Sequence, residues 1–130
     1  MSHSLDEWET AIAQRVRAAM PDVTVTQGVM PDTPDRCVTV KAYLDDDSHI
    51  PGNVRREIRV QVRTRQAPDA PVPTANKDAE AATTALRGHG IIMGDLPACR
   101  ISRLSTAMLG ADERRRDERV DNMMIITTTA

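Results

Sequence analysis

The chain has 130 residues, 40% of them hydrophobic, with 17 basic and 19 acidic side chains and a net charge of −2. That length makes a single domain, 1–130, with a modest core, and the near-balanced charge gives no global pull toward nucleic acid or a membrane surface. No apolar run approaches the ~20 residues of a membrane-spanning helix, and one Trp, one Tyr and no Phe argue for close-packed layers rather than a deep ligand pocket.

The N-terminus, Met1-Ser2-His3-Ser4-Leu5-Asp6-Glu7, lacks the basic-then-apolar pattern of a secretory signal. Residues 4–20 read as an amphipathic helix, with Leu5, Trp8, Ile12, Val16 and Met20 at three- and four-residue steps. Ser4 and Glu7 form a capping box, and Pro21 stops the helix. Val23-Thr24-Val25-Thr26 is a short strand. Gly28, Pro31 and Pro34 mark a loop over 28–36. Residues 37–44 form the second strand, and 45–53, with Asp45-Asp46-Asp47 and Pro51-Gly52, a polar loop. Over 54–65, Arg56, Ile58, Val60, Val62 and Thr64 alternate with Arg55, Glu57, Arg59, Gln61 and Arg63, as in an antiparallel strand with one solvated face.

Pro68, Pro71 and Pro73 place a linker inside the domain at 66–73. A second helix runs from about Thr74 to Arg87, its inner face made of Ala75, Ala79, Ala82 and Leu86, and Gly88 and Gly90 end it. Ile91-Ile92-Met93 is a short apolar stretch. Residues 98–109 and 118–129 are two further strands joined by a charged turn around Gly110. The order α-β-β-β-α-β-β with hairpin-length loops implies an α+β domain: a mostly antiparallel sheet of about five strands, covered on one face by two helices. Cys37 and Cys99 are read as free thiols buried in strands, with a disulfide between them the alternative.

Asp45, Asp46 and Asp47, with His49, have the ligand chemistry of a hard cation site. They lack the spacing of a calcium loop and read better as a solvated turn. Arg55, Arg59 and Arg63 share one strand face, on which successive residues lie ~7 Å apart, a spacing that could track phosphates. Glu57 interrupts them and no aromatic is interleaved for base stacking, so an intersubunit or solvated face fits better. Arg114-Arg115-Arg116 sits between Asp112-Glu113 and Asp117-Glu118, whose charges cancel it into a solvated turn. His3, His49 and His89 are scattered, and no nucleophile–base, zinc or phosphate-loop motif is present. Neither catalysis nor a cofactor finds support.

Four pieces of the chain carry a resemblance. They are Met30-Pro31-Asp32-Thr33-Pro34-Asp35 before a Val-rich strand; Val60-Gln61-Val62-Arg63; a helix with Ala79, Ala82 and Leu86 in register; and Gly110, Asp112 and Arg116 followed by Asn122. In this order the chain resembles the tail-terminator or minor capsid proteins of long-tailed bacteriophages. The family often has glycine just before the motif arginine, where this chain has Arg115, and an aromatic after the asparagine, where it has Met123. On this resemblance Pro31, Pro34, Asp35, Gln61, Gly110, Asp112 and Asn122 are structural motif residues. Asp45, Asp46, Asp47, Arg55, Arg59, Arg63 and Arg116 are candidates for an interface or a lumen.

The resemblance implies a structural virion protein without enzymatic activity or cofactor. It would form a ring, commonly a hexamer, assembled in the host cytoplasm on the head-proximal end of the tail. Its partners would be copies of itself, the tail tube protein and a head-completion or connector protein. DNA would pass through the lumen without specific binding, and no membrane is involved. The alternatives are another head–tail connector component, a metal-dependent nuclease built on the 45–49 acidic loop, and an unrelated binding module.

Overall fold

The computed structural model of the chain describes residues 3–68 and 73–129, and the side chains of 76–128 within the second span. Most of the expected 66–73 linker, at 69–72, and the side chain of Ala75 therefore lie outside the described residues. The elements are α1 (Leu5–Ala19), β1 (Thr24–Gln27), β2 (Cys37–Ile50), β3 (Asn53–Arg65), α2 (Pro73–Leu86), β4 (Gly88–Ile91), β5 (Cys99–Ala111) and β6 (Asp117–Thr129). The Ser4 hydroxyl accepts from the Glu7 amide and the Glu7 carboxylate reaches back to the Ser4 backbone, so the capping box closes as expected.

One six-stranded curled sheet runs β1-β2-β3-β6-β5-β4. β2, β3, β6 and β5 are long and mutually antiparallel, whereas β1 lies parallel to β2. The expected five strands become six because Gly88-His89-Gly90-Ile91, read as a helix end, pairs with β5. The sheet is mixed because the 28–36 loop is long enough to carry the chain back and start β2 beside the start of β1.

The expected polar loop at 45–53 is a second correction. β2 continues through Asp45-Asp46-Asp47 to Ile50, which pairs with Asn53. Only Pro51 and Gly52 turn, Gly52 at φ 80°, a proline-then-glycine order suited to a tight turn. Local charge argues for a loop here, but the β3 ladder supplies partners for every residue, and Arg56 neutralises Asp45 through two bonds of 2.8 and 2.7 Å.

Both helices lie on the same face of the sheet. Trp8, Ile12, Ala13 and Val16 of α1 and Ala82 and Leu86 of α2 form one buried cluster with Val38, Val40, Ile58, Val60, Val62, Ile101, Met123 and Ile125. At ~1.5–3 kcal/mol for each large apolar side chain removed from water, this interface is the main source of stability. Small alanines let α2 lie close to β3, β6 and β5. The alternation expected for 54–65 holds: Ile58, Val60 and Val62 are fully buried against the helices. Arg55, Arg59 and Arg63 point to the opposite, open face.

Candidate functional site

The Pro31–Asp35 loop has almost no regular structure of its own, so its carbonyls need outside donors. Two arginines supply them. Arg65, at the end of β3, donates to the carbonyls of Pro31 (2.7 Å), Asp32 (3.3 Å), Pro34 (2.8 Å) and Asp35 (2.7 Å). Arg116 donates to the Asp32 carbonyl at 2.7 Å and to the Asp35 carboxylate at 3.2 Å. Five residues separated in sequence, Pro31, Pro34, Asp35, Asp112 and Arg116, thus meet at one end of the sheet.

The turn before β6 is built around Asp112. Its carboxylate accepts from the amides of Arg114 (2.9 Å) and Arg116 (3.0 Å) and from Nε of Arg116 (2.8 Å). The Arg116 amide, then that of Arg114 and the Arg116 guanidinium, hold the Asp112 carboxyl below its ordinary range against a desolvation that raises it. Arg115 sits at φ 62°, the left-handed region that glycine enters without steric cost. The expectation of a solvated turn holds for Arg114 and Arg115 but fails for Arg116, whose side chain is only 6% exposed. Charges that cancel along the sequence leave Arg116 free to turn inward, where Asp32 and Asp35 complete its pairing. Gly110, expected at the turn, belongs to β5 beside a bulge between Met108 and Gly110.

Gln61 and Asn122 are register partners at mid-sheet, on the open face. Asn122 donates to Ser105 Oγ at 3.0 Å and accepts from the Tyr43 hydroxyl at 3.3 Å, tying β5, β6 and β2 together over β3. Along that face Arg59 pairs with Glu57 at 2.9 Å and Arg63 with Glu118 at 2.9 Å, while Arg55 lies 3.8 Å from Glu57. The three aspartates do not act together. Register puts Asp45 and Asp47 on the helix side and Asp46 on the open side. Arg56, the first cause, holds the Asp45 carboxyl below its ordinary range.

A buried ionic network escaped the sequence reading. Asp121 is fully buried and accepts from Arg119 at 3.1 and 3.0 Å and from Thr106 Oγ1 at 2.6 Å. Arg119 also donates to Glu80 at 2.7 Å, and Arg103 to Glu80 at 3.0 Å. These bonds from Arg119 and then Arg103 hold the Glu80 carboxyl down. A second pair, Arg36 to Asp78 at 2.8 Å through both oxygens, ties α2 to the start of β2. The one available signal was Arg119 and Asp121 at alternate positions of a strand on its buried side.

Cys37 and Cys99 are buried and free. They sit on β2 and β5, with β3 and β6 between them, at least ~14 Å apart at ~4.8 Å per strand interval and beyond disulfide reach. Burial pushes the Cys99 thiol up to about 11. Among the described residues no three His, Cys, Asp or Glu side chains converge to hold a metal ion. A shallow groove runs between α1 and residues 92–96, bordered by Glu7, Gln14, Arg15 and Ile92. The ionisable groups gathered at the loop staple and in the buried network are spent on one another, which suits them to holding elements in place.

The family model described as "Bacteriophage tail terminator protein" matches residues 12–129. A chain in the solved "Virion of native gene transfer agent (GTA) particle" is similar at a TM-score of 0.68 and 16% identity, covering 99% of this chain and 100% of that one. A second solved structure is similar at a TM-score of 0.51 and 17% identity, covering 98% and 96% of the two chains. At these identities the two structures speak for the fold alone. No curated protein matches the chain significantly in sequence.

Proposed function

The chain belongs to the bacteriophage tail terminator family, and from that premise we propose that it closes into a ring at the head-proximal end of the tail tube. There it stops tube growth and presents the surface on which a head-completion or connector protein docks. The observation that carries this reading is the extent of the family match, residues 12–129, which takes in every strand, all of α2 and the second half of α1. Six copies is the number the family resemblance suggests.

Physical features of the site support a structural role. A ring needs a subunit that keeps its shape, and the Arg65–Arg116 staple and the Arg119–Asp121–Glu80 network lock irregular loop, sheet and helix to one another. With the helices outward, the open face of the sheet lines the lumen. Its arginines Arg59 and Arg63 are already paired with Glu57 and Glu118. Paired guanidiniums release few counterions from passing DNA, so the duplex slides without being held.

Tube assembly tests this directly. Tail tube protein polymerised alone is expected to give tubes of open-ended length. Adding this chain is expected to fix their length and to place a ring on one end in electron micrographs. Tubes that grow unchanged and carry no end density would refute the reading.

A further inference from the structure

We propose that neighbouring subunits join edge to edge, the outer side of β5 in one copy pairing antiparallel with the outer side of β2 in the next; this rests on the ring reading above.

Two long edges of the sheet lack strand partners among the described residues. β4 pairs with β5 only as far as Ile101, so 102–111 runs with β6 on one side and, among the described residues, no paired strand on the other. β1 pairs with β2 only as far as Val40, and the Ala42 amide is taken by the Glu9 carboxylate at 2.8 Å. Residues 43–50 are therefore open on their outer side.

An unpaired edge is a row of exposed donors and acceptors, and soluble proteins guard such edges with lysine, proline or inward charge. The β5 edge is guarded only by the inward Arg103 and by two bulges, between Arg103 and Ser105 and between Met108 and Gly110. Residues 102–111 contain no proline or lysine and one charged side chain, Arg103, already engaged by Glu80. Leu104, Met108 and Leu109 on it are 44%, 56% and 50% exposed.

Three observations select the β2 edge of a second copy as its occupant. The first is charge. Residues 43–50 carry Asp45, Asp46 and Asp47, so two β2 edges would set carboxylates against each other, which is destabilising; the β5 edge carries no carboxylate. Tyr43 and Ile50, at 45% and 47% exposed, give the β2 edge apolar groups to meet those of β5.

The second is direction. The four long strands alternate, β2 and β6 one way, β3 and β5 the other. A rotation axis running broadly along the strands sets β5 beside an oppositely directed β2, so the antiparallel order continues across the joint without a break. Such a heterologous contact repeats until the rotation closes.

The third is stagger. By register, the middle of the β5 edge lies about six residues along the sheet from the middle of the β2 edge, or ~20 Å at ~3.3 Å per residue. Four strands cover ~19 Å at ~4.8 Å each. Pairing the two edges in a flat ring therefore tilts the strands by about 45°, close to the ~35–45° tilt at which closed sheets occur.

Disulfide trapping tests the joint. Ala107 and, on β2, Leu44 and Asp46 all face the open side by register. The double variants Ala107→Cys with Leu44→Cys, with Asp46→Cys and with Ser48→Cys, which also faces the open side, sample the midpoint-matched register and its two face-matched neighbours, while Cys37 and Cys99 stay buried. One of the three, oxidised after assembly on tail tubes, is expected to give a ladder of covalent multimers on a non-reducing gel. Rings visible by electron microscopy with no ladder from any of the three double variants would overturn the edge joint and leave the ring reading standing. Covalent dimers from Ala107→Cys alone would overturn it in favour of β5–β5 pairing. If the unaltered chain forms no ring, both ideas fall together.

Discussion

Arg65→Met is the sharpest probe of what holds the loop to the sheet. Arg65 is 4% exposed and donates to four carbonyls, three of them at 2.8 Å or closer. A hydrogen bond from a charged donor contributes ~1.5–3 kcal/mol, so three sum to at least ~4.5 kcal/mol if independent. They are not independent: one guanidinium makes all of them, and a loop freed from the sheet can hydrate its carbonyls. We expect a loss of ~3–4 kcal/mol, a large share of the ~7–20 kcal/mol expected for a domain of this length. The melting temperature should fall by about 10–15 °C. Urea unfolding followed by circular dichroism should show a lower midpoint at an unchanged slope, which identifies a stability loss rather than a change in compactness. Arg65→Lys keeps the charge and loses the planar fork, and should recover at most about a third of the loss. A cost under ~1 kcal/mol for Arg65→Met would refute the staple, because that is the scale of an ordinary exposed contact.

Val60→Asp puts a charge in the fully buried layer under the helices, and the variant should be unfolded by circular dichroism; native melting would mean the β3 register is wrong by one residue. Asp121→Ala removes the buried partner of Arg119 and leaves its guanidinium to the half-exposed Glu80, so it should cost up to ~3–5 kcal/mol in urea melts, while Asp121→Leu combined with Arg119→Met should recover most of it. The carboxyls of Asp45, Glu80 and Asp112 are held below their ordinary values in the fold. Their stabilisation is therefore complete above the unfolded-state pKa of ~4 and is lost as pH falls through the lower folded values. Melts should show no loss from these groups between about pH 7 and 5 and a decline below about pH 4; a steep decline between pH 7 and 5 would contradict the assignment.

Where alternation met an uncovered face, the sequence was readable: β3 declared itself by period-two patterning, and α1 by its capping box and apolar stripe. Three aspartates in a row hid the far half of β2, because their partner Arg56 lies across a hairpin that only the fold closes. Gly88-His89-Gly90 hid β4, since glycines that end a helix also suit a short edge strand. The parallel setting of β1 could not be read from a loop that permits either direction. At the site, the motif residues of the 31–35 loop and the 112–116 turn were found singly, and Arg116 was expected in solvent. Nothing in sequence announced Arg65 as the hub between them, because by alternation it shares the open face with Arg55, Arg59 and Arg63. The Arg119–Asp121 pair was missed for a related reason: the alternation that marks buried positions leads one to expect apolar groups there.

The mass of the assembled particle tests the central claim most directly. Native mass spectrometry or sedimentation of the 14.3 kDa chain, alone at high concentration and bound to tail tubes, should give one closed multiple of the subunit mass. A species that stays monomeric under both conditions would contradict the account.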